Sequence, residues 1–488
     1  MTTDESDPEQ FGTANRKMAG SATQLLVRRV VVQVLSAIST AVLARKLGTS
    51  GFGEYAAGLA MFYLASSVSD FGFGSVLARA LGAGNGRDGR LVRSMLWVQT
   101  TWSMVVGAGV VVFALLVGLG TIKIQVLLVL APCLAIAGLS GIRQVFYANY
   151  RTATLGLVDV ITNVVQAGAL VLLAFAGAGP VILACVLTIM SIINCLVLAF
   201  VGMRIVDAQR GDRPTRMHML HESLPLGLGS LLASAYFMLD LTIVSFLVSS
   251  HEVANYAAAT KFLSFLVVIP GLTITAVTPG LSAHAKNPAQ LARVVASVWH
   301  WLAVSAVPLC VGVALYSHLL VRLYYGKSYA EAAPLLEILA ISGVVAVASN
   351  VFGAAMVVTH RQRWLMIQGG LALLFNVAMN LLLVPHFGVT ASAWLTVATE
   401  LMVMSGAAFA LRHTFSGSPM LRASISPAIA LAAMVATWAV TRQWPIPSIA
   451  LAGTAFVVGL GLTGGWPVEF PAIWPKRLIL WRIGVRDA

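Results

Sequence analysis

Ala44-Arg45-Lys46-Leu47-Gly48-Thr49-Ser50-Gly51-Phe52-Gly53-Glu54-Tyr55 is a short polar turn between two long apolar runs, and its reading decides the fold. The run before it carries an arginine pair, Arg28 and Arg29. The run after it carries Asp70 and, near its end, Arg79. A charge within a lipid-facing helix costs about 2.5–3.5 kcal/mol on insertion scales, so such charges normally face a protein-lined, wetted interior. Leu25 to Leu81 is therefore a candidate cavity wall.

Working outward, the rest of the chain repeats this pattern. Of its 488 residues, 58% are hydrophobic and only 10% charged, with a mean hydropathy of +0.87. A water-soluble surface could not carry that composition. A helix needs about 20 apolar residues to cross the hydrocarbon, and fourteen such spans can be drawn, at 20–43, 54–82, 94–118, 124–142, 152–177, 180–203, 223–248, 253–282, 294–319, 332–359, 364–384, 389–411, 424–441 and 447–465. Alternating ten-residue barrel strands are absent, so the expected class is an all-α polytopic membrane protein.

The net charge of +13 invites a nucleic-acid reading, but the placement of the charges argues otherwise. With both termini inside, the inner segments hold 21 of the 31 Lys and Arg residues and the outer turns hold 6. That is the positive-inside bias, and it puts both ends in the cytoplasm with no nucleic acid needed. Cys133, Cys185, Cys195 and Cys310 lie in apolar runs at no motif spacing and read as buried thiols, with no metal site implied. The acidic start lacks a signal peptide's basic region, so residues 1–19 read as a disordered tail.

The longest polar connection, 205–222, falls after the sixth span and divides an N-lobe at 20–204 from a C-lobe at 223–412. Spans thirteen and fourteen, within 413–465, are an addition, and 466–488 is a basic tail. Gly53-Glu54-Tyr55-Ala56-Ala57 corresponds to Ala254-Asn255-Tyr256-Ala257-Ala258 at an offset of 201 residues, each after the first span of its lobe. Parallel repeats of this kind are related by a pseudo-two-fold axis along the membrane normal.

Several polar residues within spans are candidates for a site. Arg28, Arg29 and Arg79 can snorkel to headgroups or line a cavity, and neighbours about 100° apart on a helix do not both face one cavity. Lys261 sits about 13 Å into span eight at 1.5 Å per residue, and Asp240 on span seven has a similar depth. The two read either as a buried ion pair or as a gate that frees Lys261 for an anion. Asp159, Asn163 and Gln166 form a polar stripe at i, i+4 and i+7 on span five. Asn376 with Asn380, and Thr396 with Glu400, repeat the i, i+4 spacing on spans eleven and twelve, where interhelical hydrogen bonding is the first reading for the asparagines. Asp70, Asp159, Asp240 and Glu400 are candidates for ion coupling or gating.

Enzyme motifs fail on inspection. Tyr325-Gly326-Lys327-Ser328 ends like a phosphate-binding loop, but Val321 stands where the first glycine is required. His251-Glu252 is followed by Asn255 where a metalloprotease needs His. No nucleophile and base stand at a recognisable spacing, and no cofactor is implied.

The pattern Ala44-Arg45-Lys46-Leu47-Gly48 with Gly51-Phe52-Gly53-Glu54-Tyr55, then Asp70-Phe71-Gly72 and Arg79, resembles the start of the Wzx-type polysaccharide flippases of the MOP exporter superfamily. Three further segments are similar: Asn255 to Lys261 leading to Pro270 and Pro279; Leu323 to Tyr329 leading to Pro334-Leu335-Leu336; and Asn376 to Asn380 with Pro385, Gly388 and Glu400. The resemblance implies two six-helix lobes plus two helices in the bacterial inner membrane. It further implies ion-coupled alternating access that moves an undecaprenyl-diphosphate-linked oligosaccharide outward. Arg28, Arg29, Arg79 and Lys261 would then bind the lipid-linked glycan's diphosphate, and membrane lipids, a polysaccharide polymerase and glycosyltransferases would be partners. A MATE-like multidrug or cation antiporter, a lipid II flippase and a transport-inactive scaffold are the alternatives. Interior basic and acidic residues are nearly balanced, which leaves the choice to the motifs.

Overall fold

The computed structural model describes residues 8–83, 87–118, 121–207, 227, 238–412 and 418–466, with side chains from residue 28. The protein is an all-α polytopic membrane protein. Among the described residues, 12 helices are long and apolar enough to cross a membrane. Their outer faces are bare hydrocarbon: Leu116 is 81% and Leu462 84% exposed, as suits side chains solvated by lipid.

The chain forms two compact units, Met1–Ala257 and Ala258–Ala488. The first holds α1 (Pro8–Asp70), α2 (Phe73–Ala83), α3 (Gly89–Val117), α4 (Thr121–Ala137), α5 (Arg143–Ala148), α6 (Thr152–Phe175), α7 (Pro180–Met203) and α8 (Met238–Leu247). The boundary falls within α9 (Ser250–Leu266). The second unit continues through α10 (Val268–Ala283), α11 (Pro288–Ser305), α12 (Val307–Leu315), α13 (Ser317–Tyr324), α14 (Ala332–Val358), α15 (Gln362–Phe387), α16 (Val389–Leu411), α17 (Ser418–Thr441) and α18 (Pro445–Leu462).

The difference between fourteen drawn spans and 12 long helices has two sources. The first two spans are one helix, α1, bent at Gly48, whose φ of 67° and ψ of −178° are not helical. Glycine takes that conformation without a Cβ clash. The seventh span is described only as Met238–Leu247. The helix starts at Pro8, so residues 8–19, read from their composition as a tail, extend α1. Once a membrane-anchored turn exists, adding residues to it is cheap. Most of the 205–222 connection and all of the tail after Trp466 lie outside the described residues.

The second drawn span is not continuous either. The chain turns at Phe71 (φ 32°) and Gly72 (φ 72°) before α2 begins. Asp70 ends α1 and Arg79 lies on α2, so the two stand on different helices.

Two turns bear on the internal repeat. Tyr150 (φ 53°) and His360 (φ 58°) are non-glycine residues in the left-handed region. Each follows a helix, and the hydrogen bonds match: Tyr150 N–H donates to Tyr147 O and Arg151 N–H to Phe146 O, while His360 N–H donates to Val357 O and Arg361 N–H to Met356 O. Both turns close a helix end by the same left-handed cap.

Lipid tails are as apolar as Leu, so helices inside the bilayer associate through close packing and hydrogen bonds. In the first unit, α4 gives way to a 3-10 turn, Gly138–Ile142, that leads into α5. A Cβ on Gly138 would lie 2.3 Å from Thr100 Cα, so α3 passes against bare backbone there. A Cβ on Gly202 of α7 would lie 2.4 Å from Ile142 Cγ1. Phe73, Leu77, Leu81, Met95 and Phe146 fill the core beside this crossing.

In the second unit, the added pair α17 and α18 is fastened to α11 and its continuation at both ends. At one end Trp299 Nε1 donates to Ser424 Oγ at 2.8 Å, and the His300 ring nitrogens stand 2.8 and 3.0 Å from Ala423 O and Gly465 O. At the other, Tyr316 Oη and Ser448 Oγ are 2.9 Å apart. Ala430, Met434, Phe456 and Leu460 pack against Val304, Val311 and Leu315 in between.

Adding a methyl group at the α3 crossing is costly and adding one on the lipid face is not. Gly138→Ala should destabilise the protein by about 1–3 kcal/mol, read as a lower unfolding temperature in detergent. Gly109→Ala on α3, with nothing within 4 Å of its Cβ, should leave that temperature unchanged or raise it.

Candidate functional site

The polar stripe on α6 opens onto a cavity of about 370 Å³ in the first unit. Asp159, Asn163 and Gln166 line it from α6, Phe62 and Ser66 from α1, Arg143 from α5, and Asn194 and Cys195 from α7. The i, i+4, i+7 spacing puts the three α6 groups on this one wall.

Asp159 is the centre of the site. It is buried, and its carboxylate accepts hydrogen bonds from two arginines on other helices. Arg28 Nη1 donates to Oδ2 at 2.8 Å. Arg143 approaches with both arms, Nη1 to Oδ2 at 2.8 Å and Nη2 to Oδ1 at 2.9 Å. Asn194 completes the set: Nδ2 donates to Asp159 Oδ1 at 3.1 Å and to Thr162 Oγ1 at 2.7 Å, and its Oδ1 accepts from Arg143 Nη2 at 2.8 Å. Charge-assisted, two-armed contacts are the strong class of hydrogen bond, and they make the buried carboxylate tolerable. Two guanidiniums around one carboxylate leave a net positive wall.

Local backbone explains how Arg143 arrives there. Gly138 lets α3 come close, the helix tightens to three residues per turn over Gly138–Ile142, and α5 starts at Arg143 itself. A 3-10 segment within a long helix rotates the residues that follow relative to an uninterrupted α-helix.

The other sequence candidates are distributed differently. Arg29 and Arg79 are exposed, on α1 and α2. Asp70, also exposed, accepts from Gln99 Nε2 at 3.5 Å. Asp240 is buried on α8, and Lys261 is half-buried on α9. Asn376, Asn380 and Glu400 are buried on α15 and α16. Asn380 Nδ2 donates to Asn376 O and Oδ1, and Asn376 Nδ2 donates at 3.4 Å to Thr399 Oγ1, so the partner across the helices is Thr399. Thr396 instead donates to Ser392 O on its own helix.

Sequence reasoning missed Arg143 and Asn194. Arg143 sits one residue past the drawn end of span four, whereas the membrane-length helix runs on to Ala148. Asn194 is a lone amide in the apolar run Ile192-Ile193-Asn194-Cys195-Leu196, a signal that was available.

Comparison with known proteins places this geometry in context. The profile of the family described as "Polysaccharide biosynthesis protein" matches residues 42–334. No curated protein sequence matches. Among solved structures, the fold is similar to lipid II flippase MurJ in an inward closed conformation, with TM-score 0.71 and 15% identity over 90% of this chain and 98% of that one. It is also similar to an inward-facing multidrug resistance MATE transporter of the MOP superfamily, with TM-score 0.58 and 14% identity over 81% and 99%. A third similarity is to a MOP superfamily transporter from Pyrococcus furiosus, whose binding pocket is described as reversed in polarity, with TM-score 0.57 and 16% identity over 84% and 95%.

Asn194→Leu would strip one partner each from Asp159, Arg143 and Thr162, and should cost about 1–3 kcal/mol. Its unfolding temperature in detergent should fall below that of Ile193→Ala, a change at an exposed neighbour on the same helix.

Proposed function

The chain belongs to the polysaccharide biosynthesis protein family, and on that premise we propose that it flips an undecaprenyl-diphosphate-linked oligosaccharide from the inner to the outer leaflet of the bacterial cytoplasmic membrane. The observation that carries this reading is the charge of the cavity wall. Arg143 and Asp159 line the cavity, and Arg28 reaches the same carboxylate from α1, which leaves a positive excess at this wall where an anionic diphosphate could be held.

Transport would proceed by alternating access, coupled to an ion gradient rather than to a nucleotide, with both termini cytoplasmic as the distribution of Lys and Arg suggests. Lys261, Arg29 and Arg79 are further candidates to meet the headgroup. Asp70, Asp240 and Glu400 are candidates for the coupling ion. A polymerase and glycosyltransferases would act on either side of the transport step.

A multidrug antiporter, suggested by the similarity to MATE transporters, would handle cations and so favour a cavity with spare negative charge. Here Asp159 is already held by two guanidiniums, which favours the anionic substrate. A scaffold without transport would have no use for a charged cavity in hydrocarbon, where each charge is expensive.

Proteoliposomes holding the protein and a fluorescent undecaprenyl-diphosphate glycan test the reading. The parent should expose the label to an external quencher, faster with a proton or sodium gradient, and Lys261→Ala and Arg79→Ala should slow it about tenfold or more at equal protein level. No flipping by folded parent protein, together with efflux of a cationic dye, would replace this reading with the antiporter.

A further inference from the structure

At the cavity of the first unit, Asp159 lines the wall and two arginines, Arg143 on that wall and Arg28 from α1, are already turned onto its carboxylate. Arg143 meets Asp159 fork to fork, at 2.8 and 2.9 Å, and Arg28 shares Oδ2 at 2.8 Å. A guanidinium holds a carboxylate and a phosphoryl group by the same two-armed geometry. We propose that Asp159 is a built-in surrogate for the substrate's phosphate: it occupies the seat between Arg28 and Arg143 when the carrier is empty and yields them when a phosphoryl group enters. This rests on the flippase reading and deepens it, by assigning Arg28 and Arg143 to the diphosphate and Asp159 to its release.

Three observations point this way. The carboxylate is the covered member of the cluster, with its side chain 6% exposed, while Arg28 and Arg143 keep 23% and 30% exposure. The arginines are the more open members of the cluster, and Arg143 and Asp159 both line the cavity. The carboxylate also has a neutral anchor: Asn194 Nδ2 donates to its Oδ1 and to Thr162 Oγ1, apart from the bond that Asn194 Oδ1 accepts from Arg143. The long basic side chains can then swing while the acid stays in place. Last, one carboxylate cannot neutralise two guanidiniums. A diphosphate with two or more negative charges competes for them better than one carboxylate does, and the carboxylate recaptures them as the diphosphate leaves. An empty cavity with two bare guanidiniums would hold its product too long; the internal acid prevents that.

The experiment uses the full chain in lipid nanodiscs, titrated separately with inorganic diphosphate and with undecaprenyl diphosphate. Removing the competitor should tighten binding, so Asp159→Asn should bind undecaprenyl diphosphate about tenfold more tightly than the parent while flipping the lipid-linked glycan more slowly. The gain should vanish in Asp159→Asn/Arg143→Gln. Equal or weaker binding by folded Asp159→Asn overturns the proposal. Unfolding temperatures establish which variants are folded. Should Asp159→Asn not fold, Arg28→Gln serves: about tenfold weaker binding supports the seat, and unchanged affinity overturns it.

The two readings fail separately. A parent that flips the glycan while no variant shows altered diphosphate affinity removes the surrogate and leaves the flippase. Tightening by Asp159→Asn toward inorganic diphosphate alone, with no flipping by the parent, keeps the surrogate for a free phosphate anion and removes the flippase.

Discussion

A carboxylate in hydrocarbon persists only when paired and hydrogen-bonded, and the first unit is arranged so that one such group, Asp159, is satisfied from three directions. Arg28 comes from α1, Arg143 from α5 and Asn194 from α7. The acid on α6 therefore ties four helices that lipid alone would not hold together, since their apolar faces gain little by leaving one solvent of hydrocarbon for another. Removing the acid would leave two guanidiniums without their shared anion at depth. The position of Arg143 depends in turn on the bare backbone at Gly138 and Gly202, where α3 and the end of α7 come in against the 3-10 turn.

In the second unit amides carry the bonding where α15 meets α16, with Glu400 also buried on α16. Asn376 and Asn380 bond to each other and across to Thr399. Amides exchange partners at small cost compared with charges. The two units thus share local turn geometry, down to the left-handed Tyr150 and His360, and differ in what their polar interiors can attract.

The class of fold was legible because hydropathy reports the solvent, and the solvent here is lipid. Helical period also carried the α6 stripe onto one wall, because Asp159, Asn163 and Gln166 need only the spacing of a single helix to share a face. Two things were not legible. Hydropathy ends span four at Ile142, one residue before Arg143; the helix continues through a 3-10 turn that packs its Gly138 backbone against Thr100, a residue on another helix. The pairing of Arg28 with Asp159 spans 131 residues, a distance that no periodicity within a helix encodes. The break at Phe71-Gly72 could be seen as a glycine-rich stretch, but the turn itself comes from backbone angles that spacing does not report.

The last two helices have a mechanical consequence. A helix pair attached at a single point would act as a pendant that lipid could displace independently. α17 and α18 are pinned at Trp299 and His300 near one end and at Tyr316 near the other, with Met434 and Phe456 wedged between. They therefore behave as a splint on α11 and α12. Any tilt of those helices sweeps the pair's lipid-facing surface, including Leu421, Val440 and Leu462, through the surrounding acyl chains. Bilayer viscosity and thickness thus load that motion directly.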